Sequence, residues 1–275
     1  MIWRAVDRVW EFPRTPIVMG VVNITPDSFS DGGHYETTES AVSHALELES
    51  QGAAILDIGG ESTRPGAKPV SEEEELKRVV PVIEKLAGQT KAAISIDTQK
   101  PSVAKAALSA GAIIINDIAA NRDEETMWQL AAETNSGYIA THMLGNPKTM
   151  QTNPEYDDVL NDVETFFYSR MKKWTDWGMS LEQVVLDPGI GFGKTLEHNL
   201  TLLKGLKQLT KMERPLAVGT SRKSFIGDLT EAVVDDRLPG SLASACRAVQ
   251  AGGAIIRAHD VRETVQALQV WTAIN

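Results

Sequence analysis

The chain has a formal net charge of -10 and 275 residues, 42% of them hydrophobic, which is enough material for one substantial core or two smaller domains. With no basic stripe to neutralise a phosphate backbone, that charge excludes a general nucleic-acid binder, though not a small anion held by a few placed cations. The single cysteine, Cys246, excludes an internal disulfide and a cysteine-only metal cluster, and no apolar run reaches the ~18 residues of a membrane span. With no secretory or membrane segment in view, a cytoplasmic protein is expected.

The first segment, within 1–14, pairs IWRAV with RVWEF as a short β-hairpin. Then short apolar strands alternate with longer amphipathic stretches. The strands are expected at 17–23, 53–59, 92–97, 112–117, 138–143, 184–189, 215–221 and 254–259. Helices fill the gaps at 37–51, 72–87, 101–110, 124–134, 157–177, 196–209, 240–251 and 261–272. The acidic SEEEEL at 71–76 suits a helix start, because carboxylates favour that end of the macrodipole. Cys246, in LASACRAVQAG, fits a small buried helical residue. GA or GG before several strands marks helix-to-strand turns.

Near-continuous apolar strands suit a sheet covered on both faces. Eight alternations at this length predict an α/β fold, a closed (β/α)8 TIM barrel, in one domain over 1–275. An open doubly wound sheet is the alternative.

Polar residues recur where the strands end. Asn23, Asp57, Asp97, Asn116, His142, Asp187, Arg257 and His259 lie at or just past strand C-termini, and Lys223 follows the seventh strand. In a barrel these ends share one mouth. Any one of them would serve equally as a cap or loop anchor; the group as a whole points to a ligand. Asp97, Asn116 and Asp187 carry the donors and acceptors that read the edge of a polar heterocycle, and Lys223 suits a ring carbonyl or nitrogen. Arg257 and His259 suit a phosphate or diphosphate, with a loop carbonyl as the other partner open to His259. No zinc spacing occurs. Asn23, with phosphate oxygens and water, suits Mg²⁺.

Two Gly/Pro-rich loops follow the first two strands, NITPDSFSDGGHY and GGESTRPGAKPVS. Their Asp27, Ser28, Ser30, Asp31, Thr63 and Arg64 are placed to close on a ligand. The stretch PGIGFGKT at 188–195 is not a P-loop, because Pro188 stands where the first glycine of that motif belongs. Its glycines instead let backbone and Phe192 approach a flat ligand beside Asp187.

Eight segments, in order, resemble the dihydropteroate synthase family: MGVVNITPDSFSDGG, DIGGESTRPGA, SIDTQK, IIINDI, HMLGNPKTMQ, LDPGIGFGK, GTSRKSFIG and RAHDV. The resemblance covers almost the whole chain. It implies a barrel that joins 6-hydroxymethyl-7,8-dihydropterin diphosphate to 4-aminobenzoate, in a homodimer that uses Mg²⁺. Asp97, Asn116, Asp187, Phe192, Lys223 and Arg257 would then line the pterin site. Asn23, Arg64, Arg257 and His259 match the diphosphate surroundings, with Asn23 at the metal. Phe29, Thr63, Pro65 and Ser224 match the 4-aminobenzoate site. Asp97, Lys223, Arg257, His259 and Arg64 would carry the catalytic work. NDIAA departs from the family with alanines where a Ser/Thr–Gly turn is expected, and Thr141 stands where an apolar residue is commoner.

Two rival functions share parts of this pattern. A methyltetrahydrofolate–corrinoid methyltransferase uses the same pterin recognition but needs neither a diphosphate cluster nor an aminobenzoate pocket. A catalytically idle pterin-binding barrel would be marked by missing rim residues, and the rim residues are present.

Overall fold

A computed structural model of the chain describes residues 1–12, 15–24, 34–62, 69–120, 122, 125–146 and 149–274. The strands are β1 (Ile2–Ala5), β2 (Arg8–Glu11), β3 (Ile17–Asn23), β4 (Ile55–Gly59), β5 (Ala93–Asp97), β6 (Ile114–Asp117), β7 (Gly137–Thr141), β8 (Val184–Asp187), β9 (Leu216–Gly219) and β10 (Gly253–Ala258). The helices are α1 (His34–Ser50), α2 (Glu72–Ala87), α3 (Pro101–Ala110), α4 (Glu125–Thr134), α5 (Val159–Asp176), α6 (Leu196–Leu209), α7 (Ser224–Thr230), α8 (Leu238–Gln250) and α9 (Val261–Ile274).

β3 to β10 run parallel and close into a barrel, with β10 hydrogen-bonded to both β9 and β3. The closed barrel is therefore the architecture, and the open sheet is set aside. Helix ends follow local chemistry. The Ser71 hydroxyl accepts from the Glu74 N–H at 3.2 Å, with four glutamates in the first turn of α2. Pro101 occupies the first turn of α3, where its missing N–H costs nothing. α7 has no span predicted from the pattern, because a seven-residue element shows too little of the 3.6 period, but Ser224 does stand at its N-terminus as expected.

Alternation along each strand divides the apolar residues between two cores. Leu56 and Ile58 of β4, Ile94 and Ile96 of β5, and their equivalents face outward and pack beneath the helices. Ile17, Met19, Ile55, Ala93, Ile114, Ile139, Val185 and Ile255 face inward and fill the lower barrel. Cys246 is half-buried rather than enclosed, packed beside the outer core on α8.

The N-terminal hairpin forms as expected, β1 against β2, and it joins the inner core. Trp3 stacks on Trp10 with centroids 4.5 Å apart and donates its indole N–H to the Gln183 carbonyl at 2.9 Å. The Gln183 side chain in turn donates to the carbonyls of Ala131 and Ser136 at 2.9 and 2.8 Å. The hairpin thus closes the barrel at the end where the strands begin.

Candidate active site at the strand ends

Two residues further along the same inward-facing positions, the apolar filling gives way to polar groups. Ile55 is followed by Asp57, Ile114 by Asn116, Val185 by Asp187 and Ile255 by Arg257; on β5, Ala93 is followed by Ser95 and then Asp97. Parity alone turns each of these toward the barrel axis, since residues two apart share a face. Register then sets their height: Asp57 lies opposite Ser95, and Asp97 opposite Asn116.

Arg257 organises one side of this layer. Its Nε donates to Asp57 Oδ2 at 2.7 Å and its Nη2 to Asp97 Oδ2 at 2.6 Å. Asn116 Nδ2 donates to the same Asp57 oxygen at 3.0 Å. Burial pushes the Asp97 carboxyl up to about 7, with Arg257 opposing the rise and Asp57 adding to it. For Arg257, burial works against the charge, and the carboxylates of Asp57 and Asp97 carry the guanidinium above its usual range. Asp57 Oδ1 and Asp97 Oδ1 are buried acceptors with no hydrogen-bond partner among the described residues. An uncompensated acceptor in so dry a place is costly unless a donor reaches it.

Asp187, Lys223 and the glycine-rich segment form the other side. Asp187 Oδ1 accepts the Gly189 N–H at 2.7 Å, and burial raises its carboxyl while Lys223 opposes. Gly189 sits at φ +68, and a Cβ there would fall 1.9 Å from the His142 carbonyl oxygen, so only glycine passes between the ends of β7 and β8. A Cβ on Gly191 would meet the Lys223 stem at 3.0 Å. Lys223 donates to the Ile190 carbonyl, and its ammonium lies 4.5 Å from the centre of the Phe192 ring. Burial, opposed by Asp187, brings Lys223 down to about 8.

Beneath this segment lies Lys194, only 3% exposed. Its ammonium is within 2.9 Å of the Phe192 carbonyl and 3.0 Å of His142 Nδ1. Burial brings it to about 7. The glycine segment is therefore held from both sides, by Lys223 and by Lys194. Lys194 drew attention in sequence only as part of a failed P-loop; nothing local announces that its amine is buried.

Of the expected site residues, Asp97, Asn116, Asp187, Lys223 and Arg257 come together, with Phe192 beside them. Asn23 ends β3, and a Cβ on Gly59 would sit 3.7 Å from its Oδ1 and 3.6 Å from Asp97 Oδ2. His259 lies one step beyond β10, its Nδ1 3.0 Å from the Ser221 hydroxyl, while the neighbouring Asp260 pairs with Arg222. Ser224 begins α7 and is exposed. Phe29, Thr63, Arg64 and Pro65, with Asp27, Ser28, Ser30 and Asp31, lie outside the described residues. Two rim positions differ from their sequence reading. His142, one residue past the inward Thr141, turns its ring away from the mouth and against Phe166, edge-on at 4.9 Å. Asp57, given no ligand role from sequence, stands at the centre of the Arg257–Asn116 network; its inward parity with Ile55 was the available signal.

A family model described as pterin binding enzyme matches residues 19–259. The dihydropteroate synthase of Escherichia coli K12 is 49% identical over 258 residues, covering 94% of this chain and 91% of the relative. A crystal structure of Yersinia pestis dihydropteroate synthase in a sulfonamide drug complex superposes with a TM-score of 0.93 at 44% identity, covering 100% of this chain and 99% of that one. The Xanthomonas albilineans dihydropteroate synthase with 4-aminobenzoic acid gives 0.92 at 44% identity, covering 99% and 97%. The chain belongs to the pterin-binding enzyme family and, within it, to the dihydropteroate synthases.

Proposed function

We propose that this protein condenses 6-hydroxymethyl-7,8-dihydropterin diphosphate with 4-aminobenzoate, releasing diphosphate and 7,8-dihydropteroate. The observation that carries the reading is the layer of inward charges at the strand ends, where buried carboxylate oxygens of Asp57 and Asp97 lack donors among the described residues. A pterin ring brings adjacent N–H and amino donors to such acceptors. Asp97, Asn116 and Asp187 would read the ring, Lys223 would donate to it, and Phe192 and Arg257 would border its faces.

The chemistry assigned to these residues is substitution at the pterin methylene. The C–O bond to diphosphate breaks as ring electrons stabilise the positive charge, and the 4-aminobenzoate nitrogen then forms the new C–N bond and sheds a proton. Asp97 is placed to stabilise the cationic ring electrostatically, and contact with that cation favours its ionised form. Arg257 and His259, with Arg64 from the second loop, would hold the departing diphosphate. Phe29, Thr63, Pro65 and Ser224 would form the aminobenzoate site, where the amine needs no activating Ser-His-Asp relay.

Mg²⁺ belongs to this reading as well. Among the described residues no group of three or more His, Cys, Asp or Glu is arranged around a metal ion. The donor on offer is the hard amide oxygen of Asn23, which lies 3.7 Å from where a Cβ on Gly59 would sit, and Mg²⁺ commonly keeps one or two protein ligands with water and phosphate completing its shell. When bound with the substrate, it supplies charge neutralisation to the diphosphate. A homodimer through the outer helices, away from the mouth, also fits: α9 leaves Val270 and Ile274 62% and 72% exposed, one turn apart. No helix among the described residues is long and apolar enough to cross a membrane.

The test is incubation with both substrates and Mg²⁺, followed by mass spectrometry for dihydropteroate. Product from both substrates supports the assignment. Tight pterin binding without product would make the chain an idle pterin-binding barrel instead.

A further inference from the structure

Asp57 is the most enclosed acid of the rim, with no exposed surface, and it makes its bonds to the residues that would meet the ring. One oxygen, Oδ2, accepts from Arg257 Nε at 2.7 Å and from Asn116 Nδ2 at 3.0 Å. A carboxylate paired with a guanidinium has only acceptors to offer. The atom of Asn116 that faces it must therefore be nitrogen. Because an amide is planar, pinning the nitrogen also decides where the oxygen lies. The ends of an asparagine amide are nearly identical in shape, so packing alone does not choose between them. Arg257 is constrained in the same way: with Nε on Asp57 and Nη2 on Asp97, the plane of its guanidinium is set.

We propose that Asp57 is a positioning residue for ring recognition: it determines which end of the Asn116 amide and which edge of Arg257 are presented to the pterin. This rests on the reading that a pterin binds at this mouth. Asp57 then shapes selectivity through two neighbours rather than by bonding the reacting atoms. Fold stability alone is a poor reason for such a buried ion pair, since an apolar pair of similar size often serves as well. The orienting role explains why the carboxylate bonds a recognition amide and a recognition arginine with a single oxygen.

Asp57→Asn is the informative substitution, because it keeps the shape while letting position 57 donate or accept, so the selection on Asn116 is lost. Calorimetric titration with 6-hydroxymethylpterin is made on four proteins: unaltered, Asp57→Asn, Asn116→Ala and the double variant. The expected result is a loss of about tenfold or more for Asp57→Asn, with a clearly smaller further loss when Asn116 is already alanine. KM for the pterin diphosphate should rise with it, while thermal unfolding shows a folded variant. Affinity within threefold of the unaltered protein would overturn the proposal, as would losses that simply multiply in the double variant. If Asp57→Asn does not fold, side-chain amide NMR of the unaltered protein decides, with Asn116→Ala assigning the signal. One Asn116 Nδ2 proton slow to exchange supports the proposal, and two fast-exchanging ones overturn it. An unaltered protein that binds no pterin would sink the proposed function and this inference together; pterin binding with an unchanged Asp57→Asn variant would sink only the inference.

Discussion

The two ends of the barrel are built from the same strands with opposite chemistry. At the strand beginnings, Ile17, Ile55, Ile114 and Ile255 meet a tryptophan-bearing hairpin, and the space is filled by apolar contact. At the strand ends, Asp57, Asp97, Asn116, Asp187 and Arg257 face the same axis with four of the five less than 9% exposed. The first end gains from removing apolar surface from water. The second accepts desolvated charges and unpaired acceptors, a cost tolerated where a ligand supplies the missing donors. One end should therefore govern stability and the other binding.

The largest effect should fall at the closed end. Trp3→Ala removes a fully buried ring, its stack on Trp10 and its bond to Gln183. It should cost about 3–5 kcal/mol in denaturant unfolding while leaving kcat of the folded protein nearly unchanged. A large loss of kcat with intact stability would erase the division between the two ends.

Asp187→Asn is the counterpart at the mouth. It should weaken pterin binding by about 2–4 kcal/mol in a protein that still folds. Calorimetry giving less than about a threefold change would remove Asp187 from the recognition layer.

Arg257→Ala should damage binding of the diphosphate substrate more than binding of a pterin without diphosphate, by about 1.5–3 kcal/mol, the worth of a bond to a charged group. Equal losses for both ligands would make its role ring-facing or structural, as its pairing with Asp57 and Asp97 also allows.

Smaller still is the coupling between substrates. 4-Aminobenzoate should bind weakly alone and about 1–3 kcal/mol more tightly once pterin and diphosphate with Mg²⁺ are present, if its pocket needs the neighbouring ligand as a wall. Titrations with and without those ligands check it; equal affinities mean a preformed pocket.

The smallest effect is in pH, and at the charged end it comes from buried lysines and an acid. Lys194 and Lys223 titrate near 7 and 8 in the fold, below the usual 10.5 of a lysine. Between those values the unfolded chain binds more protons, so their contribution to stability rises with pH. Asp97 has the opposite sign at lower pH: its carboxyl, raised from 3.8 to about 7, loses stability as pH climbs through that window. Unfolding measured from pH 7 to 9 should show a rise that is shallower in Lys194→Met, by at most about 1.4 kcal/mol per pH unit. Identical slopes would show that Lys194 keeps an ordinary proton affinity.

Much of this was legible in the residues. Strand and helix alternation was visible because each element repeats its own period over enough residues. The strand ends were visible as polar punctuation after apolar runs. β3 begins and ends where its apolar run does, and α2, α3 and α6 match their expected spans. The others shift by one or a few residues, since terminal hydrogen bonding depends on the neighbouring strand. The convergence of Asp97, Asn116 and Asp187 was readable because topology alone carries every strand end of a closed parallel barrel to one mouth.

What only the tertiary structure decided is which polar groups meet. Asp57 and Arg257 are separated by 200 positions, and their 2.7 Å bond exists because β10 closes on β3 beside β4. One step of parity at the end of β7 sends the His142 ring away from the mouth. The lysine after the glycines is buried because the segment folds over it toward His142, and the hairpin becomes a plug because the open barrel end lies beneath it. Local periodicity determines an element and the face each side chain takes. Desolvation, pairing and proton affinity depend on neighbours from other strands, and those are set only when the barrel closes.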